Sequence, residues 1–185
     1  MATKMANFAA KQSFVVCITG AESSGKTTLT QQLAAYFDTL WVAEYARFYL
    51  EKKKDIYRQN ELWYIDQQQN YWHSISLISA QKSGKKIVFW DTDSLVIKIW
   101  SEDKYASVDA RIVRHFLEAK VDLYLLCKPD IAWTADPLRE NPYDRMRLFE
   151  LYEQNLRQYH KKYALVEGLH NARLQAAISA VENAN

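Results

Sequence analysis

The sequence predicts an α/β fold of three layers, a parallel sheet of about five strands flanked by helices and carrying a short helical lid. Three observations predict it. Short continuous apolar runs alternate with longer amphipathic stretches along the chain, the pattern of strands buried on both faces and joined by crossover helices. The first apolar run passes straight into a glycine-bearing turn and then a helical pattern. No internal repeat, low-complexity segment or Pro/Gly/Ser-rich linker divides the 185 residues, a normal length for one compact domain.

The elements follow in order. Residues 1–13 (MATKMANFAAKQS) are too polar and broken for a signal sequence and read as an N-terminal tail; the domain runs from 14 to 182. FVVCIT (14–19) is a continuous apolar run that suits a buried parallel strand. Residues 27–38 place Leu29, Leu33, Tyr36 and Phe37 on one helical face. WVAE (41–44) is a second short strand. A long polar-aromatic helix covers 60–82, with Leu62, Ile65, Trp72 and Ile75 among its inward positions. IVFWD (87–91) is a third buried run and ends in an acid. Residues 108–119 read as helix, VDLYLLC (121–127) and ALVEG (164–168) as the fourth and fifth strands, and about 170–182 as the closing helix.

Composition narrows the function classes. The chain is 49% hydrophobic and 25% charged, as globular chains are. Its net charge of +2 gives no bulk attraction for nucleic acid or an anionic membrane. The short basic clusters Lys52–Lys54, Lys85–Lys86 and Lys161–Lys162 read as solvated surface. No apolar run reaches the roughly 18 residues of a membrane span. Cys17 and Cys127 sit inside apolar runs with no Cys or His at metal-ligand spacing, so they read as buried reduced thiols of a cytoplasmic protein. His73, His115, His160 and His170 are isolated and read as solvent-facing.

The strongest signal is Gly20-Ala-Glu22-Ser23-Ser24-Gly25-Lys26-Thr27, followed by Thr28, which fits G-x-x-x-x-G-K-[ST] between a buried strand and a helix. The two glycines let the backbone curl so that successive N–H groups point inward and form an anion cradle at the helix N-terminus. Lys26 adds a charge for the β- and γ-phosphates of ATP, and the Thr27 hydroxyl can hold Mg²⁺. A P-loop NTPase fold follows. Asp91, at a strand end beside this loop, is the expected metal acid, with Thr92 and Asp93 after it. A small GTPase is disfavoured, because no glycine follows Asp91-Thr-Asp-Ser and Cys127-Lys-Pro-Asp130 lacks the asparagine of N-K-x-D. A mechanical ATPase is disfavoured by length.

GAESSGKTT, WVAEYAR (41–47), DTD (91–93) and WTADPLR (133–139), in this order, resemble the ribosylnicotinamide kinase domain of NadR-type proteins, over about residues 14–180. The resemblance implies an ATP-dependent kinase that phosphorylates the 5′-hydroxyl of nicotinamide riboside, without the adenylyltransferase domain of bifunctional relatives. It implies Glu44 near the acceptor hydroxyl as general base or orienter, with Asp93 competing for that role or binding ribose hydroxyls. Trp41, Glu44, Tyr45, Arg47, Asp91, Thr92 and Asp93 then form the acceptor set. Arg139, in an arginine-rich lid near 131–147, would close on the ATP phosphates, with Arg145 as a further candidate, while Arg147 reads as an exposed helix-start residue in ion pairs. Pro137, where the family commonly has glycine, and Ser94, where it commonly has an aromatic residue, depart from the pattern. Nicotinamide riboside carries a pyridinium charge, so an aromatic face is expected, from Trp41, Tyr45, Tyr64 or Trp72. Two readings compete: a P-loop kinase for another nucleoside or small acceptor, and an ATP-binding regulatory module without turnover. A nucleoside-monophosphate acceptor would need more arginines near the second strand than Arg47 and Arg58.

Overall fold

The computed structural model describes residues 13–53, 57–136 and 143–185. Five strands, β1 (Phe14–Thr19), β2 (Leu40–Val42), β3 (Ile87–Asp91), β4 (Leu123–Cys127) and β5 (Tyr163–Val166), form one all-parallel sheet in the order β2-β3-β1-β4-β5. The central strands bury nearly every residue, which is why they read as unbroken apolar runs. Side chains alternate between the two faces. Val16, Ile18, Phe89, Leu123 and Leu125 pack on one face against α1 (Lys26–Tyr36) and α7 (His170–Ala184). Val15, Cys17, Val88, Trp90, Tyr124 and Leu126 pack on the other against α4 (Ser94–Tyr105), α5 (Ala110–Glu118) and α6 (Arg145–Gln158). Both cysteines are free and buried. Among the described residues no helix is long and apolar enough to cross a membrane.

A third cluster lies off the sheet. It joins α2 (Tyr45–Lys53), α3 (Gln59–Ser83), α4 and α5 through Leu50, Leu62, Ile65, Ile97 and Ile112. Because α4 is packed between this cluster and the sheet, Ser94–Ile99 are buried without a break and carry no amphipathic period.

The structure departs from two expected helix faces. Ile75 is 44% exposed because it lies about 220° round α3 from buried Leu62. Tyr36, the last residue of α1, is 56% exposed beyond the covered part of its helix. The buried face of α3 reads Leu62, Ile65, Asp66, Gln69, His73, Ser76, Ala80, so four of its seven residues are polar. His73 is therefore not solvent-facing. Its ring stacks on Trp90 at 3.8 Å and 6°, and burial pushes its pKa down to about 3. His115 is also engaged, against the buried Asp66 carboxylate at 2.5 Å.

Candidate active site

The phosphate loop sits where the central strand β1 meets α1. Gly20 has φ +132, and a Cβ there would lie 2.7 Å from the Cys127 carbonyl oxygen of β4, so no side chain fits. Gly25 caps α1 in the left-handed region at φ 77. The Ser24 hydroxyl and the Lys26 ammonium both donate to the Ala21 carbonyl, at 2.7 and 2.9 Å. Arg173 of α7 braces the loop from behind. It is buried, donates through Nη2 to the Ser24 carbonyl at 2.7 Å, and is held through Nη1 by Asp130 at 2.7 Å. In front, the Thr134 amide donates to Ser23 Oγ at 3.2 Å and Arg145 donates to the Ser23 carbonyl at 3.2 Å, so both flanks of residues 137–142 are tied to the loop.

Thr27 and Asp91 meet beside the loop. The Thr27 hydroxyl donates to Asp91 Oδ2 at 2.6 Å, while the buried Asp91 Oδ1 has no hydrogen-bond partner among the described residues. Burial first, and then the charge of Glu44, push the Asp91 carboxyl up to about 7. A buried acid with a free oxygen next to a hydroxyl is the donor set that a hard divalent cation takes up.

A cavity of about 220 Å³ runs from this loop into the helical layer. Its phosphate end is lined by Gly20 to Thr28. Glu44, Ala46, Arg47 and Leu50 follow from the β2–α2 junction, Val96, Ile99, Trp100 and Asp103 from α4, and Leu148 and Tyr152 from α6. Trp100 is held by an indole hydrogen bond to the Tyr57 hydroxyl at 2.6 Å. Arg147 pairs with Asp103 at 2.6 Å. Burial first, and then the charges of Glu44, Asp93, Glu22 and Asp103, hold the Tyr152 phenol far above its ordinary range.

A family model described as an AAA domain matches residues 15–173. The chain belongs to the AAA domain family. The chain is 30% identical over 162 residues to the trifunctional NAD biosynthesis/regulator protein NadR of Salmonella typhimurium, covering 83% of this chain and 39% of that protein. It is 30% identical over 156 residues to its namesake in Escherichia coli, covering 82% and 38%. The chain thus spans about two fifths of the length of these curated relatives. A crystal structure of NadR in complex with NR superposes with a TM-score of 0.81 at 23% identity, over 93% of this chain and 51% of that one. A thymidylate kinase from Ehrlichia chaffeensis superposes at 0.65 and 15% identity, over 94% and 100%. These likenesses establish a P-loop fold, a five-stranded parallel sheet flanked by helices, for this AAA domain.

Within the AAA domain, Gly20, Glu22, Ser23, Ser24, Gly25, Lys26, Thr27, Thr28, Glu44 and Arg47 line one cavity, and Asp91 adjoins it through Thr27. Asp93 does not line it. It caps α4, accepting from the Leu95 amide at 3.1 Å and the Tyr124 hydroxyl at 2.6 Å, and is 2% exposed. Thr92 is likewise buried outside the lining. None of the four expected aromatics lines the cavity. Trp41 is 37% exposed on the edge strand, and Tyr45 packs edge-on to Trp72 at 4.9 Å and on Tyr64 at 6.3 Å. Arg139, in residues 137–142 with Pro137, lies outside the described residues. The sequence reading missed Trp100, Asp103 and Tyr152. All three sit on α4 and α6, helices whose patterns were not recognised, and the WSED and LYEQ tetrads that carry them were the available signal. It also missed Arg173, which nothing in the linear pattern marks.

Proposed function

We propose that the protein is an ATP-dependent kinase that phosphorylates the 5′-hydroxyl of nicotinamide riboside, giving nicotinamide mononucleotide. The observation that carries the reading is the continuity of one cavity, from a phosphate cradle past Glu44 to an acid-lined end with two aromatic side chains, Trp100 and Tyr152. The 30% identity to proteins named for NAD biosynthesis supports the same acceptor.

Each role follows from position. Loop amides and Lys26 receive the β- and γ-phosphates, Lys26 exchanging the Ala21 carbonyl for phosphate oxygens. Thr27 and Asp91 would hold Mg²⁺, which neutralises charge on those oxygens. Glu44 lines the same cavity as the phosphate loop, where it can orient the 5′-hydroxyl and take its proton. Arg47, already paired with Asp136 at 3.0 Å, flanks it. Trp100 and Tyr152 would supply aromatic surface to the pyridinium, and the carboxylates of Glu44, Glu22 and Asp103 in the same lining would favour a cation. Arg139 is kept from the resemblance as the lid cation; with Arg145 on the loop, the lid would exclude water from the γ-phosphate.

The test is a coupled ADP-release assay over nicotinamide riboside, uridine and adenosine. Nicotinamide riboside should be at least about tenfold the better acceptor, which needs only about 1.4 kcal/mol of discrimination. Glu44→Gln should lose about two orders of magnitude in turnover while ATP binding holds, and Trp100→Leu should narrow the preference. Equal efficiency for the neutral nucleosides would move the assignment to a kinase for another nucleoside.

A further inference from the structure

The polar stripe on the buried face of α3 has specific partners. Glu44 lies in the two-residue connection between β2 and α2, where peptide groups have no ladder or helix partner of their own. Gln69 takes up both groups that flank it. Its Oε1 accepts from the Tyr45 amide at 2.6 Å, and its Nε2 donates to the Ala43 carbonyl at 3.1 Å. The same Nε2 lies 2.9 Å from His73 Nε2. One of its two hydrogens serves Ala43, so the other meets an unprotonated His73 Nε2, and the imidazole is neutral with its proton on Nδ1.

His73 does for Asp91 what Gln69 does for Glu44. Its ring lies flat on Trp90, the residue before Asp91, at 3.8 Å, and it faces the backbone of Thr92, the residue after. Trp90 is itself fixed, its indole donating to Ser76 Oγ at 3.2 Å. Thr92 has φ 73, a conformation that a β-branched residue does not hold without support from its surroundings. Gln69 and His73 are both more than nine-tenths buried, and neither lines the cavity.

We propose that Gln69 and His73 are positioning residues for phosphoryl transfer, a buried pair one helical turn apart that locks the Ala43–Tyr45 and Trp90–Thr92 segments into one unit and so fixes the spacing between Glu44 and Asp91. Glu44 serves the acceptor and Asp91 the metal side, so the pair sets the separation across which the phosphoryl group moves. The proposal rests on the active-site reading above, but its structural half does not depend on which nucleoside is the acceptor.

Two variants of the full chain test it. Gln69→Met keeps the length of the side chain and removes its polar atoms. His73→Phe keeps a ring on Trp90 and removes both nitrogens. Hydrogen–deuterium exchange should speed by at least about tenfold in both segments, 43–46 and 91–94, in either variant, and if one fails to fold the other carries the measurement. With nicotinamide riboside, kcat should fall at least about tenfold while KM for ATP stays within about twofold. The double variant Gln69→Met/His73→Phe should be slower than the slower single variant by no more than about twofold, because two residues that act as one unit leave nothing more to lose once either is gone. Exchange that speeds only in the segment each residue touches, or effects that multiply in the double variant, would overturn the proposal. A wild-type protein that ignores nicotinamide riboside would sink the acceptor assignment alone and leave the exchange result to decide the positioning role.

Discussion

Asp91 is a carboxylate in the wrong medium. Burial and the neighbouring Glu44 charge hold it up at about 7 against an ordinary 3.8, and burial holds Asp93 up at about 6. The native state therefore keeps these protons longer than the unfolded chain does, and the stability they contribute is lost as pH rises from about 4 to about 7. His73 works the other way. Its pKa is lowered from 6.5 to about 3, so the unfolded chain protonates first and stability falls as pH drops below 6.5. Because the two signs oppose each other across the acid range, a single substitution is needed to isolate Asp91. Asp91→Asn is expected to raise the melting temperature of the ligand-free protein at pH 8 by about 3 °C or more, with a smaller gain at pH 5. Thermal melts at the two pH values check this; no gain at pH 8 would mean that the carboxylate is compensated in the native state. The same variant should lose most of its turnover in the presence of Mg²⁺, since the charge that burdens the empty fold is the one a cation requires.

At the scale of the element, the strand–turn–helix of β1, the phosphate loop and α1 is held by contact between backbones. The Gly20 Cβ position meets the Cys127 carbonyl of β4, which cannot move without parting the sheet. Gly84, which caps α3 at φ 68, has nothing within 4 Å of its Cβ position. Gly20→Ala should therefore cost about 3 kcal/mol or more and Gly84→Ala about 1 kcal/mol in urea titrations; equal costs would show that backbone conformation alone matters at Gly20. The same distinction between local and tertiary causes explains what the sequence made legible. The loop, IVFWD and LYLLC could be read because their pattern is set by their own burial. SLVIKIWSEDKY could not, because α4 is covered on two sides and shows an apolar run interrupted only by the buried Lys98 and followed by charges. The start of α6 reads as a polar lid because Arg145, Arg147 and Asp144 spend their charges on the Ser23 carbonyl and on ion pairs. Trp100, Asp103 and Tyr152 lie on those helices, and Asp93 caps α4, a role that a string of letters does not separate from a catalytic one.

Over the whole molecule, the alternation of strands and helices was enough to foresee a parallel sheet, but the order β2-β3-β1-β4-β5 comes from which faces could be covered. That order places β1 and β4 side by side at the centre, with Cys17 on one and Cys127 on the other, both without solvent contact and both pushed up by burial. Neither sulfur can meet an alkylating reagent while the sheet stands. Their reaction with a maleimide or iodoacetamide is thus a clock for rupture of the domain, and it reads the open population when closing outruns labelling. Both thiols should be consumed at one common rate. Mg²⁺–ATP at about a hundred times its dissociation constant should slow that rate about a hundredfold for each, because it draws the chain out of every open form alike. A bound nucleotide can then be weighed without any turnover, by how long two buried sulfurs stay unmarked.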